Sequence, residues 1–535
     1  MMQAISRIVS NTLEKYHKER LSFAQTIADL AKKETYISAL QSQDALSLLR
    51  PLLLDNIPAI QQSAALAIGR LANYSEELAE EVVDSDILPH LIFSLQRKNK
   101  FNKITSAFVL RTIAKHSIKL ANYVVNSGAL ITLIQCLEEF DPDVKESAAW
   151  ALGYIAKHNE ELAKAVVNAG ALPLLILCIQ EPELSLRKTA ISALSDIAKH
   201  STELAHEVVD VNSLYFLAQL IHDSDPKLLR QVCSCLCQIA KHNKLLAEKV
   251  VERNIFPRVL HILKNKDEYV RKNAASLLCE ISKHSSELAQ IIVNAGGIPA
   301  IIDYIDNSKG SAKLPGIMTL GYISVFSDTL AFSVLLSKPT PVLMNILTDN
   351  DKKDENTLSA CIWTLGQIGR HGPEHTKILT DHGVLPVLMR LLKQYSENDE
   401  KIDIKTKLNK TIKWIIENTL DLKSITPLLS LNTPLSILKP TIEQIKKIIP
   451  NDVMLRREFV TSGSLKILQE IAQKFISKNP GDPTYHSSMA ENIMLINKCY
   501  PEEIIQYYSP GYSEILLSRM ENNQQQSCTI NSQSN

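Results

Sequence analysis

Charge excess of either sign is missing from this chain: 58 Lys plus Arg face 58 Asp plus Glu, a formal net charge of +0. A protein built mainly to hold nucleic acid or an anionic membrane usually carries a basic surplus, so neither partner is expected. Aromatics make up 5% of the 535 residues and Gly only 16 of them. The aromatic and β-branched runs that a sheet protein needs are therefore scarce. The longest apolar run, residues 171–179, falls far short of the roughly 20 residues that cross a bilayer. The opening MMQAISRIVSNTLEKYHKER has no apolar core for a signal peptide and reads as an amphipathic helix. The expectation is a soluble, intracellular chain.

Signatures of chemistry are missing too. No GxxxxGK[ST], GxGxxG, GxSxG or HExxH pattern occurs. The nine cysteines include no Cys-x-x-Cys pair, and Cys233, Cys235 and Cys237 sit at i, i+2 and i+4 of one helix, where they cannot all face one metal. They read as small buried residues in a reducing compartment. No catalytic, cofactor-binding or metal-binding residue is expected.

What is present is a repeat. Segments starting at Leu71, Ile113, Ile155, Ile197, Ile239, Ile281 and Ile323 follow one another at 42-residue intervals, as in IAKHNEELA and IAKHSTELA. An eighth copy at Ile368 comes three residues late, after a charged loop at 349–356, and a degenerate copy begins near Leu30. Periods of about 40 to 47 residues mark armadillo and HEAT arrays.

Each column has a physical reason. Ser75, Ser117, Asn159, Ser201, Asn243, Ser285 and Ser327 stand where a side-chain oxygen caps the first backbone N–H groups of a helix. A Leu-Ala pair and a branched apolar pair then make one greasy helix face. Asp86, Gly128, Gly170, Asn212, Asn254 and Gly296 end that helix with residue types that tolerate a left-handed backbone. Pro89, Pro173, Pro257, Pro299, Pro341 and Pro386 open the next helix, where a missing N–H costs nothing. A longer third helix follows, with small pairs such as Ala148–Ala149 for close packing.

Three helices per unit with a Gly-then-Pro corner predict an all-α, armadillo-repeat α-solenoid, a right-handed superhelix whose third helices line a concave face. The expected organisation is an N-terminal capping helix at 1–30, about eight to nine repeats at 31–419, a divergent helical C-terminal cap at 420–520 and a disordered polar tail at 521–535. Pro427, Pro434, Pro440 and Pro450 are expected to break the cap into short helices, and Pro315 to kink a third helix.

The most distinctive polar column is a Lys-His pair at the end of the third helix. At that position a cation or His satisfies helix carbonyls and complements the dipole. The alternative is a basic ladder of Lys115, Lys157, Lys199, Lys241, Lys283 and Arg370 along one edge, ready for an acidic partner. Its rungs would stand roughly 10 Å apart, about one Debye length, so mutual repulsion is mild. At the far end Tyr507, Tyr508 and Tyr512 either seal the cap or form an interface.

Nuclear-import adaptors of the armadillo class carry a Trp and, four residues on, an Asn along their groove helices. Here the Asn column reads Arg70, Thr112, Tyr154, Asp196, Gln238, Glu280, Tyr322 and Gln367, so that ladder is absent. The chain instead resembles the sperm-associated antigen six family. The resemblance lies in residues 60–74 (IQQSAALAIGRLANY), 141–159 (DPDVKESAAWALGYIAKHN), 193–201, 266–274, 313–324, 365–375, 459–466 and the non-repetitive CYPEEIIQYYSPGYSEILL at 499–517. It implies a non-catalytic scaffold of the axonemal central pair in cilia and flagella. The partners it implies are a central-pair microtubule (tubulin), other central-apparatus proteins and further copies of the chain. The alternative is a soluble adaptor that grips an extended peptide in its groove.

Overall fold

The computed structural model describes residues 2–349, 354–396, 401–476, 483–512, 514 and 516–518. The centre of the expected charged loop, 350–353, and the polar tail at 521–535 lie outside these. The described residues are helical throughout, with no strand among them. Two compact bodies divide the chain, Met1–His284 and Ser285–Asn535.

In the first body the caps form as their column requires. Asn159 Oδ1 accepts the Leu162 N–H at 2.9 Å and Asn243 Oδ1 that of Leu246 at 2.8 Å, while Ser75, Ser117 and Ser201 do the same for Leu78, Leu120 and Leu204. Each cap starts a short first helix, such as Ile118–Asn126 and Glu160–Asn168. The corner that ends it is left-handed, at φ 83° for Gly128, 92° for Gly170 and 62° for Asn212. The chain there turns by 81° into Ala129–Leu137 and by 80° into Ala171–Gln180. This corner lets two short helices bury their Leu, Ala and Val faces against the long third helix that follows.

Those third helices, Pro58–Ala72, Lys100–Ala114, Pro142–Ala156, Leu184–Ala198, Pro226–Ala240 and Glu268–Ser282, each run 15 residues and pack one on the next. A Cβ added at Gly153 would meet the Ala193 Cβ at 3.3 Å, so the small residues set how closely successive helices approach. The opening helix Met2–Leu30 buries Ala24, Ile27 and Ala28 against the first third helix and leaves its N-terminal half exposed.

The second body keeps the same grammar. Ser285 and Ser327 cap their helices, and Gly296, Gly383 and Gly463 are left-handed at 78°, 70° and 77°. Lys338 takes the same corner conformation at φ 58°, although a Cβ disfavours it. Pro315 does not kink a helix. It occupies the second position of Leu314–Phe326, where its absent N–H would be unpaired anyway, and a 3-10 turn at Gly310–Lys313 replaces the first turn of the usual third helix. Pro440 does not break one either: Leu435–Ile448 runs through it. The carbonyl it deprives of a partner is that of Ser436, an exposed residue of the first turn. A full helix–corner–helix–helix unit reappears at Val453–Thr461, Gly463, Ser464–Ile476 and Pro483–Asn497. Its core joins Leu438, Ile442, Phe459, Leu468 and Ile493.

Candidate interaction surface

The Lys-His column resolves into two different devices. In each case the His reaches back across the repeat boundary instead of closing its own helix. Nε2 of His116, His158, His200, His242 and His284 donates to the carbonyl of Ala72, Ala114, Ala156, Ala198 and Ala240 at 2.5–2.8 Å. Each acceptor is the final residue of the preceding third helix, whose last carbonyls have no partner within the helix. His371 makes the equivalent bond to Ser324. Nε2 can donate whether the ring is neutral or protonated, and burial favours the neutral form. Burial does push His116, His200, His242, His284 and His371 below the usual imidazole range, against the pull of the carbonyl.

The cations follow the last helical residue, and each head is already occupied. Lys115 donates to the Asn73 carbonyl and side chain at 2.7 and 2.6 Å, again one repeat back. Lys199 meets Asp196 at 2.9 Å, Lys241 meets Gln238 at 2.7 Å and Lys283 pairs with Glu280. Lys157 lies 5.5 Å from the Tyr154 ring, and Arg370 donates to the Val325 carbonyl at 2.7 Å. Of the six, Lys157 alone is exposed and the others are half-buried. Burial also pulls Lys115 and Lys241 below the ordinary lysine range. The column that carries Asn in import adaptors here supplies Asp196, Gln238 and Glu280, the acceptors that hold the lysines.

A second ionic ladder went unread in the sequence. Lys103, Lys145, Arg187 and Arg230 on successive third helices pair with Glu139, Glu181, Asp223 and Asp267. The first three acids lie just past the second helix of the following repeat, so each bridge ties neighbouring units. The signal was available, since the first three cations and their acids each recur at 42-residue spacing.

The tyrosines differ in their surroundings. Tyr508 packs on the C-terminal core beside Tyr500 and Ile504. Tyr507 is 62% exposed and stands edge-on to Tyr508 and Tyr512 at 5.0 and 5.8 Å. The described cysteines are free; seven are buried and Cys499 partly so. Burial raises the thiols of Cys233, Cys235 and Cys237 to about 12. No three His, Cys, Asp or Glu side chains among the described residues are placed to share a metal. No single described helix is long and apolar enough to cross a membrane.

Short capped helices, left-handed corners and stacked third helices define an armadillo-repeat scaffold. The Armadillo/beta-catenin-like repeat family matches residues 119–157 and 159–199. An engineered protein of known structure superposes with a TM-score of 0.65 at 20% identity, covering 84% of this chain and 97% of that one, a likeness of fold alone. The particular family follows from sequence. "Sperm-associated antigen 6" of Mus musculus and of Homo sapiens are each 62% identical over 518 residues, 97% of this chain and 99% of theirs. The chain belongs to the sperm-associated antigen 6 family.

Proposed function

We propose that this chain is a non-catalytic scaffold of the axonemal central apparatus, binding a central-pair microtubule and other central-apparatus proteins to support ciliary motility. The observation that carries the reading is the 62% identity over 97% of the chain to relatives named for sperm. That span includes residues past 420, where the period fades, so shared repeat grammar does not account for it. Support also comes from the repeat itself: its polar columns are spent on joining units, through the His bonds and the ion pairs. The test is localisation. A tagged full-length chain in a motile ciliated cell should line the axoneme and resist detergent extraction. A diffuse or nuclear pool would replace this reading with that of a soluble adaptor.

The cationic edge is the proposed contact with the acidic microtubule surface, and Tyr507 with its neighbours Tyr508 and Tyr512 a second contact at the C-terminal end. Reversal of Lys157, Lys199 and Lys241 to Glu should weaken microtubule co-sedimentation and flatten its salt dependence. Unchanged pelleting and salt slope would remove the edge from the proposal.

A further inference from the structure

The third helices Pro58–Ala72, Lys100–Ala114 and Pro142–Ala156 enclose a cavity of about 430 Å³ lined by Leu66, Ile104, Phe108, Trp150, Arg111 and Glu146, among others. Trp150 is 43% exposed into it. Arg111 has no counterpart in the neighbouring repeats, where the same column holds Gly69, Gly153, Ser195 and Cys237. Its guanidinium lies 4.9 Å from the Phe108 ring centre and 4.2 Å from that of Trp150. It is half-buried, and it makes no hydrogen bond or ion pair with another described residue. Its N–H donors have no protein acceptor, so a partner's carboxylate can take them without displacing a protein contact.

A second cavity of about 410 Å³ shares Trp150 and Glu146 and continues to Lys188 and Lys227. Neither lysine has an ion pair or hydrogen bond to a described residue. Arg111 in the first cavity and Lys188 and Lys227 in the second therefore line the space on either side of Trp150, against the carboxylates of Asp143 and Glu146 on the same rims. Lys115, one turn beyond Arg111, adds to the positive field. Aromatic walls flanking an unsatisfied arginine suit a carboxylate held by its N–H donors, with an apolar side chain seated beside it. The two native carboxylates disfavour an unbroken acidic run.

We infer that this stretch of the third-helix face is a docking site for an extended segment of a partner protein carrying a single acidic residue next to a large apolar one. The apolar side chain fills the space between Phe108 and Trp150, and the carboxylate takes the free N–H donors of Arg111. The site goes beyond the axonemal reading and does not depend on it, because localisation and peptide selection are independent measurements.

The test is selection of random ten-residue phage-displayed peptides on the immobilised full-length chain. Recovered peptides should share an Asp or Glu beside Leu, Ile, Phe, Tyr or Trp. A synthetic copy of the strongest should bind Arg111→Gln at least about tenfold more weakly, with Arg111→Lys also impaired because an ammonium lacks the planar fork. Glu146→Gln should bind the same peptide more tightly, a gain that a folding defect does not imitate. Circular dichroism checks that each variant keeps its helices. No enrichment, a consensus without an acid, or equal affinity for Arg111→Gln would overturn the site.

Discussion

Removal of a single histidine from the middle of the first body should open one repeat boundary and leave the others shut. His200 is the choice, because its bond to the Ala156 carbonyl at 2.7 Å has intact neighbours on both sides. His200→Ala strands the last carbonyl of Pro142–Ala156, and a deprived, partly buried acceptor costs about 1–3 kcal/mol. In a nearest-neighbour array that loss falls on one interface. Amide exchange should therefore speed up about tenfold or more around residues 153–160 and 197–204, since each 1.4 kcal/mol is a factor of ten. Exchange in the distant Pro58–Ala72 should stay unchanged. His222→Ala, at an exposed position, is the control. His200→Gln, which keeps an N–H donor, should recover part of the protection.

The same residue sets a pH signature. Burial holds His200 below its usual value, followed in weight by the Ala156 carbonyl pulling it up and Lys199 pushing it down, with smaller effects from Asp196 and Lys241. With the folded pKa lowered, the unfolded chain takes up a proton first as pH falls through about 6.5. This contribution to stability is thus flat above that value and declines as pH falls below about 6.5. His200→Gln should lose its share of this slope. Equal exchange rates in His200→Ala and wild type, or an equal effect of His222→Ala, would refute the cross-boundary bond as a source of stability.

Other positions give outcomes of different sign. Lys338→Gly should stabilise the second body by about 0.5–1 kcal/mol, because its left-handed corner at φ 58° penalises a Cβ more than glycine costs in chain entropy; a lower thermal midpoint would contradict this. Lys145→Ala should destabilise the first body by about 1–2 kcal/mol in urea, because it leaves Glu181 without its cation in a partly buried bridge; a surface pair would lose far less. Asp196→Asn together with Glu280→Gln should strengthen microtubule co-sedimentation at low salt by releasing Lys199 and Lys283, and unchanged pelleting would count against the cationic edge.

The features legible in the sequence were those imposed by local backbone geometry. A cap needs a short polar side chain and a left-handed corner needs Gly, Asn or Asp, so Asn159 and Gly170 announce themselves without any knowledge of what lies nearby. Lys338 hid because lysine is no left-handed former, and there the stacking of its repeat overrides local preference. Pro315 and Pro440 were misread for a related reason: proline's cost depends on the exact turn it enters, and helix starts move by a residue or two without altering the apolar stripe. The ion pairs were harder. Lys145 and Glu181 are 36 residues apart, and only the stacking geometry brings the start of one third helix to the end of the next repeat's second helix. Arg111 was least legible of all, since a residue that breaks a column looks like noise until its surroundings are known.

The paired Lys and His of each repeat look like one basic motif, yet they serve opposite ends. At His200 and His242 burial favours the neutral imidazole, and its N–H is committed to the neighbouring helix, so it contributes cohesion more than charge. The lysine keeps its charge, but how much of that charge reaches solvent depends on the acceptor that holds its head. Asp196 and Glu280 cancel Lys199 and Lys283, whereas Gln238 and Asn73 hold Lys241 and Lys115 without neutralising them, and Lys157 faces only a tyrosine ring. The edge is therefore not a uniform ladder. In the first body its net positive rungs are Lys115, Lys157 and Lys241, two repeats apart or less, with a neutralised pair at Lys199 between the last two. A partner that reads this edge by charge would meet an uneven spacing, set at Lys199, Lys241 and Lys283 by the column in which the chain departs from the import adaptors.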